Sequence, residues 1–149
     1  MNPCFVVSLV GKTPQNYRLI FKKGNHSPIE TKNEKEKLCK ITGKSMISKG
    51  KIQLNLNDSR NILVDKDQYK TGDTVKISLP DQKLTETLKL EKGATCYVSH
   101  GKHSGEIATL DKIIEREGSK AADVELSYQK EKIITRKDYL FVVDKNFKA

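Results

Sequence analysis

Along most of this chain, apolar side chains fall at every second position, the period of a strand with one buried face. Tyr17, Leu19 and Phe21 alternate with Arg18, Ile20 and Lys22, and Gly24-Asn25 follows as a turn signal. Ile52, Leu54 and Leu56 alternate with Gln53, Asn55 and Asn57 after the turn-like Lys49-Gly50-Lys51. Val75, Ile77 and Leu79 form a third series behind Thr71-Gly72-Asp73, and Leu84, Leu88 and Leu90 a fourth behind Pro80-Asp81-Gln82-Lys83. Beyond Gly93 come residues 96–98, 107–110, then Val124, Leu126 and Tyr128, and an apolar run over 140–143. Short strands separated by Gly, Pro and Asp turns predict small barrels rather than a parallel sheet.

One helix is predicted. Ser27 offers an N-cap, Pro28 the first helical position and Glu30 a capping-box carboxylate, so a helix is expected from Ser27 to about Lys37. Residues 111–117 read as strand and loop. The fold expected is mostly β, with two small β-barrel-like domains and at most one or two short helices. The boundary falls near Glu91-Lys92-Gly93, dividing the chain into 1–91 and 92–149.

The 149 residues suffice for one ordinary domain or two small ones. Three cysteines, Cys4, Cys39 and Cys96, are odd in number and lack a CxxC spacing, which argues for reduced thiols rather than a disulfide framework. No apolar run approaches the length of a membrane helix, and Met1-Asn2-Pro3-Cys4 lacks the basic start of a signal peptide. A cytoplasmic protein without a membrane partner is expected.

Charge is the main functional clue. The chain carries 28 Lys and Arg against 19 Asp and Glu, a formal charge of +9. Residues 12–51 hold 11 basic and 3 acidic side chains, residues 52–85 hold 5 of each, and residues 86–149 hold 12 and 11. Charge serving only solubility would be spread out; clustered charge attracts a polyanion such as nucleic acid.

The last third adds a glycine pattern, Gly93, Gly101 and Gly105 around a short apolar strand, in the form Lys-Gly-x4-Val-x2-Gly-x3-Gly-x-Ile. Glycines in such a loop let backbone amides approach a phosphate or a base. The spacing resembles the KOW motif, which opens an SH3-like barrel in ribosomal proteins and elongation factors. The strings Asn16-Tyr17-Arg18-Leu19-Ile20-Phe21, Lys37-Leu38-Cys39-Lys40-Ile41 and Gly72-Asp73-Thr74-Val75-Lys76-Ile77, with the Asn57-Asp58-Ser59-Arg60-Asn61 turn, widen the likeness. In order and over essentially the whole chain, they resemble the archaeal and eukaryotic small-subunit ribosomal protein family S4e. The resemblance implies a central β domain followed by a KOW-type SH3-like barrel, both lying on ribosomal RNA.

Two departures stand out. Family members generally begin with a helical RNA-binding domain that would precede Met1, so the resemblance implies an expressed fragment or a shortened reading frame. In the KOW segment, Glu106 stands where a basic residue is usual and Ala108 where a glycine is usual. Glu106 sets a negative charge beside the phosphate contact that the resemblance implies.

Candidate RNA-binding residues follow from their chemistry. Arg18, Lys22 and Lys23 lie on or just beyond one strand, beside Gly24. Lys44, Lys49 and Lys51 decorate a hairpin tip from which long stems reach phosphates. Arg60 offers a planar contact to phosphate or base. His100, Lys102, His103 and Ser104 place donors in the glycine loop. For any one lysine the alternative is a solvated surface charge.

Other chemistries find little support. Cys96-x3-His100-x2-His103 supplies three metal ligands without a fourth, across a strand-to-loop junction, so no metal is assigned. Asp65 and Asp67 read as loop solvation, and no Ser-His-Asp ordering, P-loop or paired-carboxylate arrangement stands out. The expected function is a structural constituent of the small ribosomal subunit that binds its RNA through phosphate and shape contacts. Its partners would be that RNA and neighbouring ribosomal proteins, with no cofactor, no small-molecule substrate and a monomer outside the ribosome. The alternative is a KOW-containing transcription or translation factor acting through protein partners.

Overall fold

The computed structural model describes residues 5–9, 15–22, 25–30, 35–79, 81–115, 118, 122–145 and 147. The chain opens with β1 (Phe5–Leu9), β2 (Gln15–Lys22) and β3 (Asn25–Glu30). It continues through β4 (Glu36–Met46), β5 (Ile52–Leu56), β6 (Asn61–Val64), β7 (Thr74–Ser78) and β8 (Leu84–Leu88). The last third holds β9 (Thr95–Val98), β10 (Ile107–Ile114), β11 (Asp123–Tyr128), β12 (Glu131–Arg136) and β13 (Leu140–Val142). Among the described residues every pairing is antiparallel, in three sheets ordered β1-β2-β3, β6-β5-β4-β7-β8 and β12-β11-β10-β9-β13. The architecture is the mostly-β one expected, with curled sheets resembling small barrels.

The two larger sheets curl because their longest strands bend at bulges. In β4 the register shifts between Ile41 and Gly43, so residues 36–40 pair with β7 and residues 41–46 with β5. In β10 the shift falls between Leu110 and Lys112, and the strand passes from β9 to β11.

Alternation then sorts the side chains. Cys39, Ile41, Ile52, Leu54, Leu56, Tyr69, Val75 and Ile77 form the core of the middle sheet. Cys96, Val98, Ala108, Leu110, Val124, Leu126, Ile133, Leu140 and Val142 form that of the last. A third cluster of Leu38, Tyr97, Phe141, Val143 and Phe147, with Ile29, Leu88 and Ile107 against it, joins the sheets. It explains the apolar run at 140–143: Leu140 and Val142 face their own core while Phe141 and Val143 face the joint. A strand buried on both faces loses its period-2 signature.

The helix expected over Ser27–Lys37 is not there. Ser27, Pro28 and Glu30 lie in β3, where Pro28 pairs with Leu19 and Ser27 with Ile20, and Lys37 lies in β4; residues 31–34 are outside the described set. A helix of about ten residues is marginal without tertiary support. Here the support goes to strand pairing, because Ile29 reaches the joint cluster and an edge strand tolerates proline's missing N–H. The described residues contain only two 3-10 turns, Ser48–Gly50 and Lys137–Tyr139, and no helix long and apolar enough to cross a membrane. Strand β10 extends through Ile114, in line with the reading of 111–117 as strand and loop, although residues 116 and 117 lie outside the described residues.

Candidate functional site

The basic stretch of the sequence is partly consumed by the fold. Lys37 Nζ lies 2.9 Å from Asp58 Oδ2, with 14% and 8% of the two side chains exposed. Asp58 also accepts from the Cys39 thiol and the Arg60 backbone N–H, and Arg60 Nε stands 3.3 Å from it. Burial pushes the Asp58 carboxyl up, but the bonds from Lys37, the Arg60 amide and Cys39 outweigh it and hold the group below its ordinary value. Lys40 Nζ donates to the Asp138 carbonyl at 2.8 Å, and its burial lowers its pKa against the opposing attraction of Asp138.

The hairpin tip is less basic than its sequence. Lys44 pairs with Asp67 at 2.6 Å and also donates to the Tyr69 carbonyl, while Lys51 lies 4.0 Å from Asp65. Asp65 and Asp67, expected to be mere loop solvation, thus answer the tip lysines across the β4–β5–β6 meander. Such exposed pairs are worth little and can exchange an aspartate for a phosphate. Lys49 has no ion-pair or hydrogen-bond partner among the described residues and is exposed in the tip turn.

Two arginines serve the interior. The Arg18 guanidinium lies over the Phe147 ring at 5.2 Å, and its Nε is buried without a hydrogen-bond partner. Arg60 Nη1 is buried and unpartnered in the same sense. Both side chains are half-buried and engaged by groups of the protein itself. Of Lys22 only the backbone, paired with Asn25 at the end of β2, belongs to the description; Lys23 lies outside the described residues.

The glycine loop between β9 and β10 is tightly bonded to itself. Gly105 N–H donates to the Val98 carbonyl and Val98 N–H to the Glu106 carbonyl, which closes a hairpin, and Gly101 and Gly105 hold φ of 90° and 91°. Ser104 Oγ donates to the Ser99 carbonyl, and His100 Nδ1 is 2.8 Å from Ser99 Oγ. His103 Nδ1 is 3.2 Å from Glu106 Oε2, so the unexpected carboxylate engages a histidine of its own loop. His100 and Lys102 are exposed. Cys96, by contrast, is fully buried with its thiol pushed up to about 12 by burial, and among the described residues no three metal-ligating groups gather.

The loop also meets a turn that sequence reasoning passed over. Tyr139, in the Lys137–Tyr139 turn, has its carbonyl bonded by both the amide and the hydroxyl of Ser99, at 2.8 and 2.9 Å. Its ring neighbours His100 at 5.7 Å and the Arg136 guanidinium at 5.8 Å. Arg136-Lys137-Asp138-Tyr139 is a basic and aromatic string, but it reads as the approach to an apolar strand unless its contact with the glycine loop is known.

The comparisons with known proteins agree with this architecture. The model of ribosomal family S4e matches residues 13–84. The small ribosomal subunit protein eS4 of Methanocaldococcus jannaschii is 42% identical over 139 residues, covering 87% of this chain and 57% of that protein. Its counterpart from Archaeoglobus fulgidus is 38% identical over 144 residues, covering 95% and 60%. The crystal structure of the 30S ribosomal protein S4e from Thermoplasma acidophilum aligns with a TM-score of 0.74 at 28% identity, over 89% of this chain and 68% of that one.

The chain belongs to ribosomal family S4e. It spans 57% and 60% of the length of the two curated relatives. Within this S4e chain, Ala108 is 4% exposed in β10 and packs in the last core, so the methyl group at that position fills space inside the barrel. Glu106 is held by His103 at the loop base, which leaves Lys102 and His100 as the exposed donors of the loop.

Proposed function

We propose that this chain is a structural, non-catalytic constituent of the small ribosomal subunit that binds ribosomal RNA through phosphate neutralisation and shape recognition. Membership of the S4e family supports the reading, together with one feature of the surface. Exposed Lys49 and Lys51 at the β4–β5 turn, Lys44 at the end of β4 in an ion pair with Asp67, and exposed Lys102 in the glycine loop offer cations at two hairpins. Residues 1–91 and 92–149 act as two β units on that RNA, each with its own core. The chain works in the cytoplasm, alongside neighbouring ribosomal proteins, and is monomeric outside the ribosome.

The mechanism is electrostatic. Lysines release counterions from the RNA backbone, and exposed pairs such as Lys44–Asp67 give way to phosphate at small cost. Little base-specific readout is needed, because an A-form helix is recognised by its backbone and minor groove. Neutralising about four phosphates makes log affinity fall with log salt at a slope of roughly −3 to −4.

A salt titration with a structured RNA, followed by fluorescence anisotropy, tests this. A flat dependence, or no binding at low salt, rejects RNA as the partner and favours protein contacts instead. Reversing Lys49 and Lys51 to glutamate is expected to reduce the slope by about two and weaken all structured RNAs alike. Lys102→Glu is expected to reduce it by about one; the opposite ranking moves the main contact to the glycine loop.

A further inference from the structure

The contact between the Lys137–Tyr139 turn and the glycine loop has a chemistry that phosphate binding does not use. Tyr139 is half-buried, yet Arg136 and His100, its cation and imidazole neighbours, are both exposed. Gly101 runs along the ring edge, where an added Cβ would stand 3.6 Å from the ring carbons. Ser99 holds the Tyr139 carbonyl with two hydrogen bonds, which anchors the backbone of the turn on the glycine loop. Lys102, two residues beyond His100 in the glycine loop, is exposed, whereas the Lys137 side chain lies against Gly72. A tyrosine ring with a guanidinium 5.8 Å and an imidazole 5.7 Å from it, on a loop that carries an exposed lysine, forms a stacking platform with a phosphate contact beside it.

We propose that Arg136, Tyr139 and His100 bind an unpaired RNA base, which stacks on the exposed guanidinium or imidazole, while Lys102 contacts the phosphate next to it. The inference rests on the RNA-binding reading and adds to it the class of nucleotide recognised, one outside a duplex. A base in a helix keeps its π-face stacked and unavailable, so the platform selects loops and bulges.

The experiment uses the full chain and two RNAs of equal phosphate number: a hairpin with 2-aminopurine among four unpaired loop nucleotides, and a blunt duplex. The chain is expected to bind the hairpin about tenfold more tightly than the duplex, and to quench 2-aminopurine emission at saturation. Tyr139→Phe keeps both properties. Tyr139→Ala loses the preference and the quenching but keeps duplex affinity. Arg136→Ala and His100→Ala alter only exposed side chains, so folding is not at issue, and each is expected to lower the preference about threefold. Duplex binding without hairpin preference, or a preference and quenching that survive Tyr139→Ala, overturns the platform alone. Absence of binding to either RNA at low salt overturns the platform and the RNA reading together.

Discussion

At the scale of single residues, Asp58 shows how a charge in a turn becomes structural. Its carboxylate collects Lys37, Arg60, the Arg60 amide and the Cys39 thiol at the edge of the middle core. Asp58→Ala leaves Lys37 uncompensated and mostly buried, so a loss of about 2–4 kcal/mol is expected in urea denaturation. The pH dependence has a definite direction. The folded-state pKa lies below the ordinary aspartate value, so this stabilisation is complete above that value and is lost as pH falls through the folded one. The stability gap between the parent chain and Asp58→Asn is therefore expected to be constant from neutral pH down to about 5 and to shrink below about 4. A gap independent of pH down to 2 would show that the hydrogen bonds do not hold the ionised form.

At the scale of elements, the β4–β5 hairpin turns through Lys49 and Gly50, whose φ values of 67° and 72° are both left-handed. Glycine takes this region freely and lysine does not, whereas Asn-Gly is the favoured pair for such a turn. Lys49→Asn is expected to raise stability by about 0.5 kcal/mol while weakening RNA binding, and thermal melting with anisotropy reads the two effects apart. A residue kept in a disfavoured conformation for its charge is consistent with a role at the tip. The element most misread from sequence was the helix at Ser27. Its cap signals were local, and so is the competing hairpin pairing to β2, but the packing of Ile29 on the joint cluster is a contact with distant parts of the chain.

At the scale of the molecule, the joint cluster makes one body from the middle and last sheets. Phe141 is 2% exposed and sits with Leu38 of the middle sheet and Tyr97 of its own. Phe141→Ala is expected to cost about 3–4 kcal/mol. Unfolding followed by far-ultraviolet dichroism and by tyrosine absorbance is expected to stay one coincident transition, because the joint ties both cores. Two separated transitions in the parent chain would show that the units 1–91 and 92–149 fold independently of the joint.

Strand periodicity, glycine turns and family landmarks were legible in the chain alone, because a one-sided strand and a positive-φ turn are local demands on residue type. The strands of the last core could be placed from Val124, Leu126 and Tyr128 and from the run at 140–143 without any coordinates. The fate of the charges could not. The excess over residues 12–51 is a property of composition, but Asp58, Asp65 and Asp67 come from the following segment and fold back onto Lys37, Lys51 and Lys44. Likewise Arg136 and Tyr139 meet His100 only when the Lys137–Tyr139 turn docks on the glycine loop. The sequence determined most of the strand segments and that the chain is basic; the tertiary structure decided which cations remain available, since pairing depends on distance in space and the chain records only order.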